Sequence, residues 1–145
     1  MERVKFKIEN NPFFIWKSDL HVSHMNYGNH LANDKVLTLC HEARVRWLRE
    51  KGFSELDIYG FGLIQSDTMV MYKSQGHIGD PIAVEISLGE YNSKAFNLFY
   101  KIVNLKDNAE IARIKTGMLN FDYKTNSIVN ADPKFLEYLK ELTDV

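Results

Sequence analysis

The stretch HLANDKVLTLCHEARVRWLREKG, residues 30–52, governs how the rest of the chain is read. Turned through about 100° per residue, Asn33, Val36, Leu37, Cys40, Ala43, Arg44, Trp47 and Leu48 fall on one broad face. The spacing predicts a helix from Ala32 to Lys51. Asn29 or Asn33 can cap its start, Asp34 sits well in its first turn, and Gly52 is a natural stop. A helix this apolar has to be covered on most sides.

The flanking sequence supplies the cover. On the N-terminal side, Val4 to Ile8 (VKFKI) alternates as a strand does, Asn10-Asn11-Pro12 is a turn, and Phe13 to Val22 is a second extended stretch. HMNYGNHLAND, residues 24–34, reads as an irregular loop leading into the helix. On the C-terminal side four strands are expected: Gly62 to Ser74, Ile82 to Tyr91, Lys94 to Leu105 and Ala109 to Tyr123. Gly76 with Gly79-Asp80-Pro81, Asn92-Ser93 and Asp107-Asn108 separate them, and the last three form an antiparallel meander. Asp132-Pro133 opens a short final helix with Phe135, Leu136 and Leu139 on one side. The expected class is α+β, an antiparallel sheet curved around one long helix.

The 145 residues fit a single domain, 1–145, large enough to fold without disulfides or metals. A formal charge of -1 points neither to nucleic acid nor to an anionic membrane. The lone Cys40 has no intrachain partner, which suits a reducing compartment. No signal-like stretch opens the sequence, and no apolar run approaches the roughly 20 residues of a membrane span, so a cytoplasmic protein is expected. No His, Cys or carboxylate cluster has zinc spacing, so neither metal nor cofactor is expected.

HLANDKVLTLCHEAR, His30 to Arg44, resembles the 4-hydroxybenzoyl-CoA thioesterase-like hotdog family. That family's pattern runs D-x-D-x-x-G-H-V-N-N-A-x-Y-L and then E-x-A-R. His30 takes the His position, Asn33 the second Asn, and Glu42-Ala43-Arg44 the closing triplet, with no gap between them. Tyr72-Lys73-Ser74 with Gly79-Asp80, Ile114 to Thr125, and Asp132-Pro133-Lys134-Phe135 extend the likeness. The resemblance implies a hotdog fold, an acyl-CoA or acyl-carrier-protein thioester as substrate, and a homodimer or homotetramer. It also implies a catalytic carboxylate four residues before the His, and there this chain has Asn26. His24, Asn29 and Ala32 depart from the pattern as well.

Thioester hydrolysis needs a polarised carbonyl, an activated water and a slot for the acyl group. The resemblance assigns the first to amides near Gly28, Asn29 and His30, with Tyr27, Asn33 and Ser66 beside the substrate. A loop that merely caps a helix explains the same residues. With Asn26 unable to act as a base, Asp34 and Asp67 compete for that role and Glu42, turned away from the core face, ranks third. Asn26 can still orient water. His30 and Asp34, four apart on one flank, can pair and raise the imidazole pKa. Cys40, on the core stripe, reads as a small buried hydrophobe rather than a nucleophile. The leading function is an acyl-CoA thioesterase. A binding module that holds an acyl thioester without efficient hydrolysis is the alternative that Asn26 favours. A hydratase is disfavoured, because its D-x-N-P-x-H type loop is not matched here.

Overall fold

The computed structural model describes residues 1–144. The helix α1 spans Asn33–Glu50, one residue inside the expected range at each end. It ends as Gly52 predicts: Gly52 takes a φ of 78°, its amide reaches Arg49 O (3.0 Å), and the Phe53 amide reaches Leu48 O (2.8 Å). The N-terminal end differs from expectation. Ala32 holds the cap position with no side-chain acceptor, so neither Asn29 nor Asn33 caps the helix.

Around α1 runs one antiparallel sheet of β1 (Phe14–Asp19), β2 (Gly62–Tyr72), β3 (Pro81–Tyr91), β4 (Ala95–Asn104) and β5 (Glu110–Asp122), in the order β1-β3-β4-β5-β2. A short β6 (Ser127–Ile128), absent from the sequence reading, adds to β5. The meander expected of the last three long strands is β3-β4-β5, and the whole is the hotdog architecture. β4 alternates strictly between half-buried and buried residues, and its Phe96, Leu98, Tyr100 and Ile102 pack towards the helix. From the helix side come Val36, Leu39, Cys40, Ala43, Trp47 and Leu48. Leu37, expected in this core, is 38% exposed and Leu39 takes its place. The closing helix α2 (Pro133–Leu142) is capped by Asp132, buries Phe135 and Leu139, and accepts the Trp47 indole N–H on Tyr138 OH (2.8 Å).

Val4 to Ile8 is not a strand. Its alternation is genuine, since Phe6 and Ile8 are half-buried while Lys5 and Lys7 are exposed. A period of two, however, says nothing about whether a neighbouring strand is there to pair. The segment instead crosses strands of the sheet. Phe13 N binds Ile86 O (2.8 Å) and Asn10 Nδ2 binds Leu88 O (2.6 Å) on β3. Phe6 then lies 5.8 Å from the Phe99 ring on β4, and its carbonyl accepts from Arg113 on β5 (2.8 Å).

At the other edge of the sheet β2 flanks α1. Tyr72 OH reaches Asn33 O at the helix start (3.3 Å), and Gln65 Oε1 meets Arg44 Nη1 about three turns further along (3.2 Å). A bulge between Gln65 and Asp67 sets the faces of this strand. Thr68 lies opposite Thr116, whose hydroxyl meets the buried Tyr100 OH, so this pair faces α1. Asp67 lies opposite Gly117 and therefore faces the other way.

Candidate functional site

The loop before α1 is organised by Asn26. Its Oδ1 accepts from Gly28 N (2.9 Å) and His30 N (3.2 Å). Its backbone N–H donates to His30 O (2.9 Å), and its carbonyl accepts from Asn29 N (3.0 Å), with Asn29 at a φ of 63°. The amides of Gly28, Asn29 and His30 are thus all engaged by one residue. The free donors lie slightly further on. The Ala32 amide binds His24 O (2.9 Å), whereas those of Asn33 and Asp34 find no acceptor among the described residues. They sit at the positive end of the α1 dipole, where a developing negative charge is favoured.

Beside these amides the Asp34 carboxylate is exposed and has neither an ion pair nor a side-chain hydrogen bond among the described residues. The expected pairing with His30 does not form. His30 precedes the helix, so helical i, i+4 geometry does not apply to it. Its ring instead meets His77 edge-on at 5.2 Å. His77 is placed by the Gly79-Asp80 corner, where buried Asp80 accepts from His77 N (2.9 Å), Asn104 Nδ2 (3.1 Å) and Lys106 Nζ (3.0 Å). Burial alone would raise the Asp80 pKa, but the His77 amide and the Lys106 ammonium hold it below its ordinary value. Before the loop, His24 stacks on His21 at 5.0 Å and accepts the His21 amide on Nδ1 (2.9 Å). Burial, and then His21, keep its pKa below the ordinary histidine value.

Asn26, Gly28, Asn29, His30, Asn33 and Asp34 are therefore contiguous at one end of the fold, with Tyr27 fully exposed on the loop's outer side. Asp67 and Ser66 lie apart from them on β2. Asp67 Oδ1 is tied to Lys115 Nζ (2.8 Å) and Gly117 N (3.0 Å), and the Lys115 bond holds its carboxyl below the ordinary value. A Cβ at Gly117 would lie 2.4 Å from that same Oδ1 and 2.7 Å from Ser66 Oγ, so a side chain there would displace both. Ser66 Oγ donates to Gly117 O (3.2 Å). Glu42 is spent on Arg46 (2.9 Å), and burial pushes the Cys40 thiol up, leaving it no thiolate character.

Sequence reasoning missed a second polar constellation. Arg44 is buried, 5% exposed, and donates through Nη1 to Tyr100 OH (3.0 Å) and Gln65 Oε1 (3.2 Å), and through Nη2 to Glu55 Oε2 (3.3 Å). Glu55 also meets His41. A cleft of about 300 Å³ opens between α1 and β2, lined by Leu37, Thr38, His41, Arg44, Gln65 and Thr116. The available signal was a charged residue on the apolar stripe of α1, which has to find partners there. Their identity is set by contacts distant in sequence.

Comparison with known proteins places these features in a family. Residues 20–139 match the thioesterase-like superfamily. No curated protein matches the chain. Among solved structures, a 1,4-dihydroxy-2-naphthoyl-CoA thioesterase from Synechocystis superposes with a TM-score of 0.80 at 17% identity, over 89% of this chain and 96% of that one. A hypothetical protein from Staphylococcus aureus in complex with CoA gives 0.84 at 15% identity, over 96% and 89%. At these identities the likeness speaks for the fold.

Proposed function

The chain belongs to the thioesterase-like superfamily, and on that premise we propose that it hydrolyses an acyl-CoA thioester to the free acid and thiol. One observation carries the reading: two amides without an acceptor among the described residues, Asn33 N and Asp34 N, lie at the positive end of α1, in the same first turn as the Asp34 carboxylate, which has no partner there either. The thioester oxygen accepts from those amides, which stabilise the charge that develops as water attacks. Asp34 takes the proton of that water. The tetrahedral intermediate collapses with cleavage of the C–S bond, and the proton passes on to the leaving thiolate. Asn26 holds the loop closed through Gly28 and His30, with Tyr27 and Asn29 exposed where substrate enters. CoA is the favoured carrier, because a solved structure of this fold is a CoA complex and another is a CoA thioesterase.

Residues 1–145 act in this reading as one domain in the cytoplasm, where Cys40 stays reduced, and as a homodimer. The β2 edge, eleven residues from Gly62 to Tyr72, has no partner on its outer side among the described residues, and a second copy related by a two-fold axis is the natural cover. The second reading is a module that binds an acyl thioester without hydrolysis, favoured by Asn26 in the place of the family's carboxylate. Release of free thiol from a panel of acyl-CoAs separates the two. Turnover that Asp34→Asn removes supports the enzyme, and tight binding with no thiol release supports the module.

A further inference from the structure

We propose that the cleft between α1 and β2 selects acyl groups that carry an uncharged oxygen, such as a hydroxyl, at the end remote from the thioester, with Arg44, Gln65 and Thr116 as the specificity-determining residues. The inference rests on the thioesterase reading for the entry point and on three observations for the rest.

The first is alignment. Asn33, Leu37, Cys40 and Arg44 recur at helical spacing and form one stripe along α1. Arg44 lies about 16 Å along the axis from Asn33 at about 1.5 Å per residue. β2 borders the same stripe from Tyr72 at the helix start to Gln65 beside Arg44. The lining of the cleft begins at Leu37, one turn beyond Asn33, so an acyl group whose carbonyl sits at the free amides would enter it along this stripe. The exposure of Leu37, anomalous for a large apolar residue on the inward stripe, is explained by its place in the cleft wall near the mouth.

The second is the chemistry of the far end. A slot for a plain hydrocarbon chain is expected to be apolar throughout. This one ends in a guanidinium, a carboxamide and a threonine hydroxyl, with Tyr100 OH bonded behind them to Thr116 (3.0 Å). Gln65 Oε1 is bonded to Arg44, Gln65 Nε2 to Thr68 Oγ1 and Thr116 Oγ1 to Tyr100, and a methyl terminus would take the remaining hydrogen-bonding capacity of these groups away from water without replacing it.

The third is spare donor capacity. Of the five N–H groups on Arg44, three are used as described above, while the buried Nε has no acceptor. A buried donor left unmade is unfavourable, and a small reorientation of the guanidinium towards a ligand oxygen relieves it. The charge of Arg44 is already met by Glu55, so a terminal carboxylate would be repelled by that neighbour, and a neutral oxygen fits.

The test compares ω-hydroxyacyl-CoA, methyl-ended acyl-CoA and ω-carboxyacyl-CoA of matched medium length. The expected result is a kcat/KM at least tenfold higher for the hydroxyl-ended substrate than for either other. Gln65→Leu and Thr116→Val, which leave the Arg44–Glu55 pair in place, should shrink that preference several-fold by lowering kcat/KM for the hydroxyl-ended substrate and raising it for the methyl-ended one. Equal or reversed preference in the wild type, a preference for the carboxyl end, or a preference untouched by both variants overturns the proposal. The same series as non-hydrolysable CoA thioethers, measured by calorimetry, separates this outcome from failure of the hydrolase reading. A hydroxyl preference in binding with no thioester turnover retains the specificity assignment and removes only the hydrolysis.

Discussion

The start of α1 and the middle of β2 each carry an aspartate that could serve a hydrolase, and their surroundings are opposite. Asp34 stands in a helical first turn with no partner among the described residues, next to two amides that also lack one. Asp67 is bonded to Lys115 and to the Gly117 amide, on the sheet face turned away from α1. Hydrogen bonds to the ionised form stabilise it and make it a poorer proton acceptor. The difference teaches that carboxylates in a fold of this kind are better sorted by what already occupies their lone pairs than by distance along the sequence from a motif.

The largest expected effect tests that sorting directly. Asp34→Asn should lower the rate of thiol release by about 10²- to 10⁴-fold, the usual loss for a general base, while Asp67→Asn stays within a few-fold of wild type. The reverse ranking would return Asp67 to the site. A more deeply committed carboxylate sharpens the contrast. Asp80, with three donors and a buried position, should lose about 1.5–3 kcal/mol of stability as Asp80→Asn, read from the urea midpoint. Next comes the loop. Asn26→Ala removes the acceptor for Gly28 N and His30 N, so a loss of about 1 kcal/mol per bond is expected, with a lower melting temperature and a slower rate together. An unchanged melting temperature would show the loop to be held by other contacts.

The smallest effect is the acid dependence of the Asp67 ion pair. Its folded pKa is depressed, so the stability it adds is complete above the ordinary carboxylate value of about 4 and is lost as pH falls through the folded value. With that carboxylate more than half exposed, the contribution is about 0–1 kcal/mol. The stability difference between wild type and Asp67→Asn should shrink below pH 4 and be constant above pH 5. A difference that grows on acidification would contradict the lowered pKa.

Much of the fold was legible because its periods are local. The helix from Asn33 to Glu50, the four long strands, and Phe135 with Leu139 on α2 all follow from apolar spacing and from turn residues within the segment itself. The site was legible in part. The loop from Asn26 to His30 is marked by its composition, but the placement of free donors one step later depends on where Asn26 Oδ1 turns. Gln65 and Asp67, two apart, would share a strand face, and only the bulge between them sends Gln65 towards Arg44 and Asp67 away. The partners of Arg44 come from β2, β4 and the loop after α1, and no window along the sequence contains them together. The reading of Val4 to Ile8 as a strand failed for the same reason, since pairing is a property of two segments.

That bulge also bears on how growth of an assembly stops. An uninterrupted edge can be copied indefinitely, each added chain offering the next a fresh ladder. β2 is broken at Ser66 into two unequal runs, Gly62 to Gln65 and Asp67 to Tyr72, and a neighbour can match only one of them without a bulge of its own in register. Two identical chains meeting about a symmetry axis, as proposed above, would use that edge once each and leave β1, six residues long, as the outward edge strand among the described residues. In the proposed homodimer, the irregularity that aims one glutamine at the helix would thus also act as a terminator, favouring a closed pair over an open-ended fibre.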